Sequence, residues 1–171
     1  MRGWILFFAV AGALAWIAFQ FAARAAPPRI GNAIPDFTLE STEGESISLA
    51  AQRGKPIVLV FVASWCEVCR EEMPTMIETY RAHRIHDVVF LGVNVYEDRA
   101  TARKFRDEFQ IPFPLLADPD GAITTRFRVN GTPTTFFIDR DGVLRDVIVG
   151  GPLDRAYLDN EIIPLLDLAA F

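Results

Sequence analysis

The stretch PIVLVFVASWCEVCREEMPTMIETYRAH, residues 56–83, decides the fold. Its opening, Pro56 to Ala63, is a run dominated by β-branched and aromatic side chains, too short for a globular helix and apolar on both faces. A central strand covered on both sides reads this way. From Trp65 onward the period changes, and Met73, Met76, Ile77 and Tyr80 fall at helical spacing. Pro74 lies inside that helix, where it removes one backbone donor and is expected to kink it. The junction between strand and helix holds both cysteines of the chain, Cys66 and Cys69. A pair this close would close almost no loop, so it cannot serve as a structural staple. It is there for chemistry.

Working outward, Ile30 to Leu49 has extended character, with Glu43-Gly44-Glu45 suggesting a hairpin turn. Asp87 to Val95 is a second buried strand, and Glu97 to Gln110 a helix with Ala102, Phe105 and Phe109 on one face. A short strand near 113–116 and a helix near 121–127 follow. Strands at 134–138 and 143–149 are joined by Asp139-Arg140-Asp141-Gly142, a plausible turn. An amphipathic helix from Asp154 to Leu168 carries Tyr157, Leu158, Ile162 and Leu165. Alternating strands and helices predict one α/β domain, over 34–171, on a central mixed sheet flanked by helices.

Trp4 to Ala23 carries no charge and one polar side chain, Gln20. As a helix of about 20 residues it spans roughly 30 Å, enough to cross a hydrocarbon core. Residues 1–25 are therefore expected to be one transmembrane anchor. The competing reading is a cleaved signal, for which Ala23-Arg24-Ala25 offers a small-x-small site. Both readings export the rest, and residues 26–33, with Pro27 and Pro28, form a stiff linker. The chain of 171 residues has a net charge of −5. The first 25 residues hold two arginines and no acid, which leaves −7 on the remainder. Nucleic-acid binding, which needs a basic face, is excluded.

Cys66 falls at or just before a helix N-terminus, where free backbone donors and the helix dipole favour a thiolate. Cys69 lies one turn further on, within reach of Cys66. The implied reaction is disulfide exchange, with a mixed disulfide formed at Cys66 and resolved by Cys69. Strand, WCxxC and helix in sequence, together with Pro74, resemble the thioredoxin fold. Within that fold the chain resembles the membrane-anchored TlpA/ResA-like thiol–disulfide oxidoreductases over about residues 30–171. The likeness rests on VASWCEVC, on Glu72, on Pro74 and on VNGTPTTFFIDRDG at 129–142.

The resemblance implies further roles. Pro133 matches the cis-proline that faces the redox pair, leaving Thr132 backbone groups to pair with an extended substrate. Glu72 matches a glutamate that, partly buried, would titrate high and relay the proton of Cys69. Trp65, from its place beside Cys66 alone, is expected either to pack as an ordinary aromatic or to cover the redox pair and touch substrate. The aspartate of thioredoxin on the preceding strand is replaced here by Val60, so Glu72 is the acid expected to act. Glu67-Val68 between the cysteines departs from the usual Glu-Pro and Gly-Pro. Family members reduce exported thiols such as those of apocytochrome c or an oxidase copper site, and are recharged by a membrane thiol reductase. The catalytic domain is then expected on the periplasmic side of the membrane, with no cofactor.

Other readings share these residues. A thiol peroxidase on the same fold would place a proline and a threonine just upstream of its cysteine, and Val62-Ala63-Ser64-Trp65 has neither. A copper or zinc metallochaperone would use the cysteines as ligands. Cys66-x2-Cys69-x13-His83-x2-His86 nearly matches a zinc spacing. The histidine interval is one residue short, and the helical rise carries His83 about 20 Å away. The two histidines are expected to meet the helix C-terminus or solvent.

Overall fold

The structure is a computed structural model that describes residues 27–167. The run after Pro56 forms β3 (Ile57–Val62), with all six residues buried. It lies in a seven-stranded sheet with β1 (Thr38–Ser41), β2 (Ser46–Ser48), β4 (Val89–Val95), β5 (Leu115–Asp118), β6 (Thr134–Ile138) and β7 (Leu144–Val149). The order is β2-β1-β5-β4-β3-β6-β7. β3, β4 and β5 run parallel, and β6 and β7 add antiparallel on the other side of β3. The helices are α1 (Glu67–His83), α2 (Arg99–Phe109), α3 (Ala122–Arg126) and α4 (Arg155–Asp167). This is a thioredoxin-like α/β fold.

The unbroken apolar character of β3 has a direct cause: alternate residues face opposite layers, and both are filled. Phe61 packs with Phe127 and Phe136, each at 5.5 Å between ring centroids. Phe90, opposite Val58 in the register, belongs to the other layer and packs with Tyr80 of α1 and with Phe113. Burying each large side chain contributes about 1.5–3 kcal/mol, so the strand carrying the redox loop is among the most firmly held elements. α1 continues through Pro74 as one helix. Pro74 is exposed, so the Arg70 carbonyl that loses its helical donor lies on the solvent side.

Two expectations shift at the edges. Gly31, Asn32 and Ile34 exchange backbone hydrogen bonds with Gly142 and Leu144, so the end of the expected linker is stitched to the β6–β7 hairpin. His83 stands in the last turn of α1, as expected, and the exposed His86 meets solvent; but His83 is buried, with Nε2 2.7 Å from Asp159 Oδ1, and ties that end of α1 to α4. Among the described residues no helix is long and apolar enough to cross a membrane. The expected anchor, Trp4 to Ala23, lies outside the described residues.

Candidate active site

Topology brings four loops to one end of the sheet. Cys66 follows β3, and Tyr96 and Glu97 follow the parallel β4. β6 runs against β3 with Thr134 opposite Phe61, so residues 131–133 enter at that same end. β7 finishes there too, with Val149 opposite Thr134, and leads into Gly150–Leu153. Ligand sites of open α/β sheets lie beyond the carboxyl ends of the parallel strands, and it is at that end that these loops gather.

Cys66 and Cys69 are joined by a disulfide. Cys66 is the N-cap of α1: its backbone is extended, and its sulfur accepts the Cys69 N–H at 3.1 Å. A thiolate at this position would keep that bond and gain the helix dipole. Cys69 is 1% exposed and Cys66 7%, so an incoming sulfur meets Cys66 first. The Cys66 sulfur lies 3.4 Å from the Thr132 carbonyl oxygen, a contact the reduced thiol can use as donor. The Thr132–Pro133 peptide is cis. Trp65 is 66% exposed beside the disulfide, far from ordinary core packing.

Glu72 is buried rather than solvated, although it sits in the charged run Arg70-Glu71-Glu72. It lies one turn after Cys69 on the same helix face. The segment after β7 closes over it. Leu153 N–H donates to Glu72 Oε2 at 3.1 Å, and a Cβ on Gly151 would come within 2.1 Å of the same oxygen. Only glycine lets the backbone press this close to the carboxyl. Burial pushes the Glu72 carboxyl above its ordinary range, and the single bond from Leu153 only partly opposes that.

One acid at the site escaped the sequence reading. Glu97 accepts the Ser64 N–H at 2.9 Å and also the Ser64 hydroxyl, and it accepts Asn94 Nδ2 at 2.6 Å. The residue before Trp65-Cys66 is thus clasped to the end of β4. The available signal was position, since Asn94 lies near the end of a parallel strand and Glu97 in the loop after it. Glu97→Gln would turn its amide NH2 either toward two fixed donors, Ser64 N–H and Asn94 Nδ2, or toward the Ser64 hydroxyl, which would have to rotate to accept, and in both cases the charge is lost. Hydrogen bonds to charged groups contribute about 1.5–3 kcal/mol each, and partial exposure of Glu97 reduces that, so the variant is expected to unfold about 1–2 kcal/mol more easily. Urea denaturation measures it; an unchanged midpoint would mean that water replaces the clasp.

Among the described residues no group of three or more His, Cys, Asp or Glu side chains is placed to hold a metal ion. The near-zinc spacing does not converge, because His83 is engaged with Asp159 at the far end of α1.

A profile of the AhpC/TSA family matches residues 30–147. The chain belongs to the AhpC/TSA family. Within it, the chain is 36% identical over 121 residues to the thiol–disulfide oxidoreductase ResA of Geobacillus kaustophilus, covering 71% of this chain and 70% of that protein. A crystal structure of a putative thiol:disulfide interchange protein DsbE from Chlorobium tepidum superposes with TM-score 0.76 at 31% identity, over 81% of this chain and 99% of that one. A secreted disulfide oxidoreductase of Mycobacterium tuberculosis, described as homologous to E. coli DsbE, gives TM-score 0.68 at 26% identity, over 75% and 95% of the two chains. This AhpC/TSA member is a thiol–disulfide oxidoreductase of the ResA and DsbE kind. The family match ends at residue 147, so Gly151 and Leu153, which close over Glu72, lie beyond it.

Proposed function

We propose that the chain is a reductant of exported protein disulfides, held at the outer face of the cytoplasmic membrane by residues 1–25. Cys66 is the attacking thiol, Cys69 resolves the mixed disulfide, and Glu72 takes the Cys69 proton. Pro133 and Thr132 present a backbone edge to substrate, and Trp65 covers the exchange. The substrates are apoproteins whose cysteines must be reduced before a haem or copper is inserted, and a membrane thiol reductase restores the dithiol.

The observation that carries this reading is the paired asymmetry at the redox loop. A capped Cys66 faces the Thr132 edge, and a buried Cys69 lies next to a buried carboxyl on the same helix face. Similarity to a protein named ResA supports the reducing direction through the family resemblance, and a secreted structural relative supports export.

Equilibration of residues 26–171 in graded thiol–disulfide buffers, read by acid-quenched thiol trapping, tests the direction. A potential near or below that of thioredoxin, about −270 mV, is expected; one near −120 mV would make the chain an oxidant.

A further inference from the structure

Four non-glycine residues among those described have left-handed backbone: Asp87, Tyr96, Gln110 and Arg128. Asp87, Gln110 and Arg128 follow the ends of helical segments, where such a turn is ordinary. Tyr96 does not. It has φ 56° at the end of β4, between the strand and the N-cap of α2, and an aromatic residue is unusual there. Outliers of this kind concentrate at functional sites.

The ring is held in place. A Cβ on Gly121 would lie 1.9 Å from Tyr96 Cε1, so the ring rests directly on the Gly121 backbone. The Tyr96 N–H donates to the Asp118 carbonyl at 3.0 Å. Even so, Tyr96 is 56% exposed. It lines a cavity of about 260 Å³ with Trp65, Val95, Val129, Asn130 and Thr132. Thr132 is also the residue whose carbonyl touches the Cys66 sulfur, and Trp65 precedes Cys66 in the chain, so the cavity borders the point of disulfide attack. Small-molecule pockets run to about 300–1,000 Å³; this one has room for a single large side chain.

We propose that Tyr96 and Trp65 are the two aromatic walls of a subsite for a bulky apolar side chain beside the substrate's cysteine, and that Tyr96 sets this preference. The proposal rests on the oxidoreductase reading and adds to it which polypeptides are chosen. The occupant is an extended segment of a protein substrate. Its backbone lies along Thr132, its cysteine reaches Cys66, and its neighbouring side chain enters between the rings. A wall already fixed on Gly121 loses little freedom when that side chain arrives. In the reaction, the Cys66 thiolate attacks one sulfur of the substrate disulfide and forms a mixed disulfide. The other substrate sulfur leaves as thiolate and takes a proton. Cys69 then attacks the Cys66 sulfur, releases the second thiol and closes the Cys66–Cys69 disulfide, so two electrons pass from dithiol to substrate.

The test uses the reduced enzyme and three synthetic peptides, each supplied as its symmetric disulfide. One has Phe immediately before the cysteine, one has Phe immediately after, and one has Ser at both places. The wild type is expected to reduce at least one Phe peptide with a kcat/KM about tenfold above the Ser peptide, equal to about 1.4 kcal/mol. Tyr96→Gly suits the left-handed backbone and should fold; it is expected to lose that ratio, while Tyr96→Phe keeps it. Equal rates for all peptides with the wild type, or a ratio that survives Tyr96→Gly, would overturn the proposal. A wild type that reduces none of the three would overturn the oxidoreductase reading along with it.

Discussion

Cys69→Ser is expected to accumulate covalent complexes with its substrates through Cys66, whereas Cys66→Ser accumulates almost none and falls to the uncatalysed background. The reason is geometric. Cys66 caps α1 with its sulfur against the Cys69 N–H, where a thiolate is stabilised, and it lies beside the Thr132 carbonyl, where substrate can arrive. Cys69 is sealed beneath it. When the resolving sulfur is removed, the mixed disulfide has no internal route to release. When the attacking sulfur is removed, the remaining thiol is buried and meets no partner. Non-reducing electrophoresis with mass mapping of the trapped cysteine reads the outcome. Equal trapping by the two variants would reverse the roles given to these sulfurs.

Glu72→Gln is expected to move activity and stability in opposite directions. A general base at the resolving step is worth about 10²-fold or more, so resolution at pH 7 should slow by roughly that factor. The pH profile carries the sign. The wild-type rate should climb as Glu72 ionises, above the ordinary carboxylate range because burial disfavours its charge. Without it, the rising limb should move up toward direct ionisation of a thiol, about pH 8.5 or higher for a buried one. Stability follows from the same shift. A carboxyl whose pKa is raised on folding stabilises the native state while protonated, below its unfolded value of about 4.3, and loses this as pH climbs through the folded value. Gln imitates the protonated acid and can still accept the Leu153 N–H. The variant should therefore be more stable than wild type at pH 7, with the difference vanishing in acid. An unchanged rate profile would make Glu72 a packing residue only.

The elements were largely legible from local pattern. β3 carries a continuous apolar run, and β4 one broken only near its end by Asn94, because both faces are covered, and α2 shows its Ala102–Phe105 stripe because only one face is. The redox pair was legible for the same local reason, since a strand, two cysteines one turn apart and a helix start are neighbours in the chain. Glu97 was missed. Its partner Ser64 is 33 residues away, and nothing in Asn94-Val95-Tyr96-Glu97 states that β4 lies beside β3 in a register that joins them. His83 does stand at the end of α1, but its burial was not legible, because its partner, Asp159, is brought to it by the docking of α4 on α1.

The sequence by itself determined the class of fold, the place of the reactive sulfurs and the chemistry they perform. Periodicity, caps and a two-residue cysteine spacing act within one or two turns of chain, and such interactions are written locally. Tertiary structure alone decided the environment of that chemistry. It buried Glu72 under Gly151 and Leu153, clasped Ser64 to Glu97, and set the Tyr96 ring on Gly121 in a cavity that Trp65 also lines. Each of these depends on which strand ends share one edge of the sheet. Burial, which moves a carboxyl's proton affinity and shapes a subsite, is a property of that shared edge and not of any single segment.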